Sequence, residues 1–437
     1  MTLRRFPLLL ATLGALTVPL AVHADARAAD AKAAIVDHVD GNQEQAFALL
    51  ERAVNINSGT LNAAGVRQVG DLLRAEFDAL EFQTGWVDGA PFGRAGHLVA
   101  RRGDRGPRIL LIGHLDTVFE PDSPFQKFAR DGNIARGPGT SDMKGGIVVM
   151  LSAMRALASV DALNSLRLTV VLTGDEEETG APQALARAAL IDAARASDIA
   201  LGFENADDNP ATAVTARRSS SSWTLNVTAP SAHSSQIFRD QVGSGAIFEA
   251  ARILQAFQSQ LRGEEYLTFN PGLILGGAQV EFNPEQLSGR AAGKGNIIAP
   301  AAVVIGDLRA ISVEQRDRAR TRMQEIVGAH LPQAEAEITF QDGYPPLSPT
   351  EGNQKLLALY DQVSRDLGFG PVTAVDPRDA GAADISFVGG VVPMALDGLG
   401  LKGGGNHTEK EFADLRTFRV QTQRLALLLY RLGLGND

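Results

Sequence analysis

The sequence contains no cysteine among its 437 residues. This absence excludes a disulfide framework, a cysteine nucleophile, a cysteine-based zinc finger, an iron–sulfur cluster and a lipid-modified N-terminal cysteine. Basic residues are in the minority, with 41 Lys and Arg against 51 Asp and Glu, so the formal net charge is −10. An acidic chain argues against nucleic acid as a partner, because phosphate binding needs a basic surface. Any catalytic metal would have to be bound by His, Asp and Glu.

Long apolar runs are scarce, and the one near the N-terminus is typical of an export signal. Arg4 and Arg5 precede an apolar run over 6–16, and Val22-His23-Ala24 resembles the pattern before a signal-peptidase cut. We expect a signal peptide over 1–24 and a periplasmic or secreted protein. An uncleaved membrane anchor is the alternative, but the run is shorter than the ~20 residues that a bilayer span needs. No stable membrane anchor is therefore expected.

Short apolar runs alternate with stretches of helical periodicity over most of the chain. Buried strands are predicted at 109–112, 166–172 and 199–203. Helices are predicted at 42–56, 61–80, 145–160 and 414–432. This alternation predicts an α/β core with a mostly parallel sheet flanked by helices.

The pattern changes between 217 and 345. Trp223, Leu225 and Val227 alternate with polar residues, as in a half-solvated strand. Further strands are predicted near 278–282 and 303–308, and helices at 242–260 and 313–330. We therefore predict a core domain in two parts, 25–216 and 346–437, interrupted by an α+β domain at 217–345.

Polar clusters follow the buried strands. His114 and Asp116 lie in Gly-His-Leu-Asp-Thr-Val, directly after the first strand, and alternate residues of an extended segment face the same side. A metal-binding His usually needs its second ring nitrogen held by a carboxylate or a carbonyl, and Asp116 is placed to hold it. The alternative is a His and an Asp that cap the end of a strand.

Further carboxylates and a His occupy similar positions. Asp142 lies in a Gly- and Pro-containing loop at the head of a predicted helix, where Asp is also a common helix cap. The four acids at 175–178 follow another strand, and they repel one another unless a cation lies among them; a solvated loop is the alternative. Glu204 follows a further strand, and His407 lies in a glycine-rich loop. Together these candidate ligands indicate a metal site in one α/β core.

The motifs resemble those of the co-catalytic zinc exopeptidase and deacylase family, which includes glutamate carboxypeptidase, acetylornithine deacetylase and succinyl-diaminopimelate desuccinylase. The resemblance covers nearly the whole mature chain and is strongest to glutamate carboxypeptidase. It rests on Gly-His-Leu-Asp-Thr-Val, Gly-Thr-Ser-Asp-Met-Lys-Gly-Gly and Asp-Glu-Glu, in type, order and spacing. It implies that 25–216 and 346–437 form the catalytic domain and that 217–345 form a lid, through which the chain would dimerise.

The resemblance also implies two Zn²⁺ ions per chain, with Co²⁺ or Mn²⁺ as alternatives. One ion would be bound by His114, Asp142 and Glu204, and the other by Asp142, Glu177 and His407. Glu176 would be the general base, and Asp116 would orient His114.

Three residues of the inserted domain match substrate-handling positions of the family. His233, in Ser-Ala-His-Ser, would support the oxyanion, often across the dimer. Asn296, in Gly-Asn-Ile-Ile, and Arg309, in Gly-Asp-Leu-Arg, would bind substrate. Arg309 would bind the substrate carboxylate, since a guanidinium binds a carboxylate in a bidentate fork.

The implied activity is that of an exported carboxypeptidase, which would release a C-terminal amino acid, with an acidic one as an option, from a small peptide or an N-acyl amino acid. An N-acyl amino-acid deacylase with the same residues is the alternative. A non-catalytic binding protein is disfavoured by the intact Glu176. Resembling glutamate carboxypeptidases carry a basic residue soon after the Glu ligand, but no Lys or Arg occurs between 205 and 216. Arg217 and Arg218 are the nearest substitutes, so substrate preference stays open.

Overall fold

The computed structural model describes residues 18–205, 207–284 and 286–435, with side chains of the first helix described from residue 29. Most of the expected export signal therefore lies outside the described residues. Residues 18–24 form the beginning of the first helix. None of the described helices combines the length and apolar character needed to cross a membrane.

Ten α-helices occur in the described ranges. They are α1 (Val18–Gly41), α2 (Gln43–Val54), α3 (Ala63–Asp78), α4 (Lys144–Ala158), α5 (Gln183–Ala186), α6 (Ala188–Arg195), α7 (Ala246–Leu261), α8 (Val313–Gly328), α9 (Glu351–Asp366) and α10 (Arg416–Gly433).

The strands of the described ranges are likewise numbered in chain order. The first nine are β1 (Gln83–Asp88), β2 (Gly96–Arg102), β3 (Arg108–His114), β4 (Ala129–Asp131), β5 (Ile134–Arg136), β6 (Arg167–Thr173), β7 (Ile199–Gly202), β8 (Thr212–Ala213) and β9 (Ser221–Thr228). The others are β10 (Thr268–Gly277), β11 (Gln279–Asn283), β12 (Ser288–Ala292), β13 (Ala301–Arg309), β14 (Glu335–Asp342), β15 (Thr373–Ala374), β16 (Met394–Leu396), β17 (Gly403–Gly404) and β18 (Phe412–Asp414).

The central sheet has the strand order β1-β2-β6-β3-β7-β16. Strands β6, β3, β7 and β16 run parallel to one another, and β1 and β2 add antiparallel pairs at one edge. The parallel strands are apolar along almost their whole length because helices cover both faces of such a sheet. This is the predicted mostly parallel sheet with flanking helices.

Helix α4 forms the centre of the larger core. Twelve of its fifteen residues are buried, and it packs against α10, α2 and α1. A helix that is apolar on nearly every side must be enclosed by other elements. The N-terminus of α4 is thereby held against the sheet, and the loop that precedes α4 carries Asp142.

The residues that separate the two parts of the core in the sequence form a second sheet. Its order is β10-β13-β9-β14, and every pair is antiparallel. Along β9, Trp223, Leu225 and Val227 are buried, whereas the intervening residues are partly or fully exposed. These side chains pack with α7 and α8 into a separate hydrophobic core, as the period of two in the sequence predicts.

Candidate metal centre

The parallel strands bring the predicted ligands to one edge of the central sheet. His114 is the last residue of β3 and lies in register with Thr173 at the end of β6. Ile112 of β3 lies in register with Gly202 at the end of β7. The segments that follow these strands therefore leave the sheet side by side, which is where ligands bind in open α/β sheets.

The first group of potential ligands consists of His114, Asp142 and Glu204. The Nε2 atom of His114 lies 3.3 Å from Oδ1 of Asp142 and 3.5 Å from Oε1 of Glu204. Burial alone would lower the pKa of His114, but its contacts with Asp116, Asp142 and Glu204 raise that pKa well above the usual value. Burial together with the charge of Asp142 raises the pKa of Glu204 to about 7.

The second group shares Asp142 and adds Glu177 and His407. The Nε2 atom of His407 lies 3.1 Å from Oδ2 of Asp142 and 3.1 Å from Oε2 of Glu177. These two carboxylates raise the pKa of His407 to about 11. His407 has a φ of 60°, in the left-handed region, and such backbone strain concentrates at functional sites.

Asp116 holds both His114 and the acidic loop. The Nδ1 atom of His114 lies 3.0 Å from the backbone oxygen of Asp116 and 3.4 Å from its Oδ1. The Asp116 carboxylate also accepts hydrogen bonds from Thr60 Oγ1 at 2.7 Å and from the amides of Glu176 and Glu177, both at 3.1 Å. Asp116 therefore orients the imidazole partly through its main chain, and its carboxylate fixes the backbone of the neighbouring loop.

The four consecutive acids do not face one common cation. Glu177 contacts His407, whereas Glu178 is largely exposed and lies 2.7 Å from Arg94. Asp175 points away and pairs with the buried Arg187 at 2.6 Å. Only Glu176 and Glu177 border the metal-ligand groups, so the acidic run divides between this site and ion pairs with Arg187 and Arg94.

Glu176 lies in a partly buried and strongly negative environment. Burial raises its pKa well above that of an ordinary glutamate, and the neighbouring charges of Asp384 and Glu204 add to the rise. A carboxylate with a raised pKa is a better proton acceptor than an exposed one.

Glu411 supports the loop that carries Asp142, and sequence reasoning missed it. Its buried carboxylate accepts hydrogen bonds from the amides of Gly139, Ser141 and Asp142 at 3.2, 3.0 and 3.2 Å. Burial raises its pKa to about 7. The only clue in the sequence is its position four residues after His407.

Arg217 lies behind Glu204 and not in the substrate region. Its side chain is 3% exposed, and its Nε and Nη2 lie 2.9 and 2.8 Å from Oδ2 of Asp397. Asp397 in turn accepts from the amide of Glu204 at 3.3 Å. This pairing argues against Arg217 as a substitute for the missing basic residue, because its guanidinium already binds Asp397.

The three predicted substrate-handling residues lie on the inserted sheet region. His233 is exposed and its Nδ1 lies 2.9 Å from Ser235 Oγ. Arg309 ends β13, with Nε 3.2 Å from Asp307 Oδ2, and Asn296 is exposed. Within the described ranges, the hydrogen bonds and ion pairs of His233 and Arg309 stay inside this region. Their predicted roles remain predictions.

The donor set fits divalent cations. His114, Asp142 and Glu204 present ligand atoms within 4.8 Å of one another, and so do Asp142, Glu177 and His407. Imidazole and carboxylate donors suit zinc and related ions. Carboxylates gathered in a buried site also repel one another, and a cation would offset that repulsion.

The fold and the donor set together define an α/β protein with a potential site for divalent cations. Residues 110–431 match the model of peptidase family M20/M25/M40, and the chain belongs to this family. Members of the family are metal-dependent hydrolases, which confirms the predicted general class of enzyme.

Three relatives illustrate the range of similarity. Carboxypeptidase G2 of Pseudomonas sp. (strain RS-16) is 26% identical over 397 residues, covering 88% of this chain and 89% of that protein. Succinyl-diaminopimelate desuccinylase of Gluconacetobacter diazotrophicus is 39% identical over 101 residues, covering 21% of this chain and 26% of that protein. The structure of aminopeptidase PepT from Bacillus cereus has a TM-score of 0.69 at 16% identity and covers 90% and 99% of the two chains, which shows a shared fold.

Proposed function

We propose that this chain is an exported two-zinc carboxypeptidase that hydrolyses the amide bond to a C-terminal amino acid. The observation that carries the proposal is the pair of ligand groups sharing Asp142, with Glu176 beside them. The similarity to carboxypeptidase G2 over 88% of the chain supports the carboxypeptidase reaction. Export rests on the N-terminal sequence pattern alone.

Different side chains would bind the metal ions and transfer the proton during amide hydrolysis. The two ligand groups would hold the zinc ions, which supply Lewis-acid activation of water and of the amide carbonyl when bound. With Glu176 included, four carboxylates would face two dications, so the charges balance. Glu176 accepts the proton of the attacking water and delivers it to the leaving nitrogen.

The inserted region supplies the remaining contacts in this proposal. His233 donates a hydrogen bond to the developing oxyanion. Arg309 and Asn296 bind the substrate, with the guanidinium on its carboxylate. Closure of the inserted region over the metal centre would bring these groups to the substrate and exclude water.

Dimerisation through the inserted region is part of the proposal. Several large apolar side chains are exposed there, and we call them the lid patch: Phe238, Ile247, Phe248, Ile274 and Ile297. The rings of Phe238 and Phe248 lie 6.0 Å apart, and Ile297 forms a β-bridge with His233. Contiguous exposed apolar surface marks association sites, and burial of this patch would place His233 at a subunit boundary.

A deacylase is the second candidate, favoured by the local similarity to succinyl-diaminopimelate desuccinylase. A panel of dipeptides, N-aroyl amino acids, and N-acetyl and N-succinyl amino acids separates the two activities. Chromatography would measure the free amino acid released from each. Release from peptides and aroyl amino acids supports the carboxypeptidase, and release from short acyl groups alone supports the deacylase. No release from any compound by the zinc-loaded protein would contradict both.

A further inference from the structure

The chain crosses twice between the central sheet and the inserted sheet, and the two crossings are paired. Arg217 and Leu347 exchange two backbone hydrogen bonds of 3.0 Å. Ser220 donates to the oxygen of Tyr344 at 2.9 Å and accepts from Gly343 at 3.1 Å. We call this segment, residues 217–220 and 343–347, the crossing ladder.

One side chain of the crossing ladder reaches the acidic loop. The hydroxyl of Tyr344 donates to the backbone oxygen of Glu176 at 2.6 Å. Its ring packs against Phe387, with centroids 5.0 Å apart. Burial, together with the negative charges of Glu176 and Asp384, raises the pKa of Tyr344 well above its usual value. The phenol therefore stays protonated at neutral pH, so its hydroxyl can donate to the Glu176 carbonyl.

The buried guanidinium of Arg187 also donates hydrogen bonds to the acidic loop. Arg187 is 1% exposed and donates to Asp175 Oδ1 at 2.6 Å and to Thr179 Oγ1 at 3.0 Å. Its Nη2 also donates to the Tyr344 hydroxyl at 3.2 Å, and its Nε lies 2.8 Å from Asp384 Oδ1. A buried charge that meets several acceptors fixes the positions of all of them.

The peptide units on the two sides of Glu176 are thus held from opposite directions. Asp116 accepts the amides of Glu176 and Glu177, and Tyr344 donates to the carbonyl of Glu176. These hydrogen bonds fix the backbone at Glu176 and therefore the position from which its side chain extends. Proton transfer depends on sub-ångström placement of the base.

We propose that Tyr344 is a positioning residue that fixes Glu176 through its backbone carbonyl and links the crossing ladder to the site of proton transfer. The proposal rests on the proposed function in that Glu176 is the general base. Nothing in the sequence places the two residues together, since they are separated by 168 positions.

Tyr344→Phe tests the proposal, because it removes the donor and keeps the ring. We expect kcat to fall about tenfold, the effect of one hydrogen bond, with KM within about twofold and zinc content unchanged. Hydrogen exchange of a peptide covering residues 174–180, followed by mass spectrometry, should be faster in the variant. Tyr360→Phe is the matched control, since Tyr360 is buried in α9 and donates to Gln421 at 3.3 Å.

Unchanged kcat and unchanged exchange in Tyr344→Phe would overturn the proposal, and so would an equal loss of kcat in Tyr360→Phe. If the wild-type protein cleaves no amide, the proposed function fails, and the exchange measurement still decides whether Tyr344 positions the loop. If Tyr344→Phe does not fold, Phe387→Leu removes the ring that packs on Tyr344 and so loosens the phenol that donates to Glu176. It should lower kcat about threefold with faster exchange of the same peptide, and wild-type values for both would overturn the proposal.

Discussion

At the residue scale, Glu176 differs from its acidic neighbours in the charges that surround its side chain. Asp175 pairs with Arg187, Glu177 with His407 and Glu178 with Arg94. Burial raises the pKa of Glu176, and the neighbouring charges of Asp384 and Glu204 add to the rise. This arrangement suits a group that takes up and releases a proton.

Substitution of this residue should separate catalysis from metal binding. Glu176→Gln keeps the shape but removes the basic carboxylate, so kcat should fall by at least ~100-fold while zinc content stays unchanged. Glu178→Gln is the control, because Glu178 is exposed, and its kcat should stay within about twofold. Steady-state kinetics and elemental analysis measure both quantities. Wild-type kcat in Glu176→Gln would contradict the assignment of the base.

The sequence was informative about those residues that lie in short local motifs. His114 and Asp116 are two positions apart, and the spacing in an extended segment already indicates that they act together. Arg187, Tyr344 and Glu411 were missed because each contacts residues in a distant part of the sequence. Glu411, for example, is about 270 positions from the loop that it supports, and no periodicity reports such a contact.

At the scale of elements, the loop over 137–142 is held between α4 and Glu411. The glycines at 137 and 139 have φ values of 145° and 82°, a conformation that other residues adopt with strain. The Glu411 carboxylate accepts hydrogen bonds from the backbone amides of this turn. The loop carries Asp142, the residue common to both ligand groups.

Glu411→Gln should therefore weaken metal binding without removing a ligand. The amide nitrogen of Gln would face backbone donors, so the loop loses acceptors and the zinc affinity should fall about 10- to 100-fold. Competition with a chelator measures the affinity. Glu409→Gln, at an exposed position two residues away, should bind zinc as the wild type does. Equal affinities for all three proteins would show that the loop holds its shape without Glu411.

The elements that the sequence predicted are those with a strong apolar pattern. Strands β3, β6 and β7, and helices α4 and α10, were predicted within a few residues of their observed limits. Strands β1 and β2 and helix α9 were not predicted. Strand β1 is an edge strand with intermediate or exposed residues throughout, so its sequence lacks the run of apolar residues that identifies a buried strand.

At the scale of the whole molecule, the contacts of a single chain do not explain why the apolar side chains of the lid patch are exposed. If the proposed homodimer buries this patch, Phe248→Glu should place a charge in the interface and give a monomer with reduced activity, because His233 would lose its neighbouring subunit. Leu185→Glu is the control, since Leu185 is an exposed apolar residue on α5 of the central domain. Light scattering coupled to size-exclusion chromatography measures the mass. A wild-type monomer that is fully active would contradict the proposal.

Two metal ions, held by the ligand groups that share Asp142, should be needed for activity. The most direct measurement is a titration of the metal-free protein with Zn²⁺, in which amide hydrolysis is followed on the best compound of the panel. We expect no hydrolysis without zinc and a rate that rises until about two equivalents per chain have been added. Full activity in the metal-free protein, or a plateau at one equivalent, would contradict this expectation.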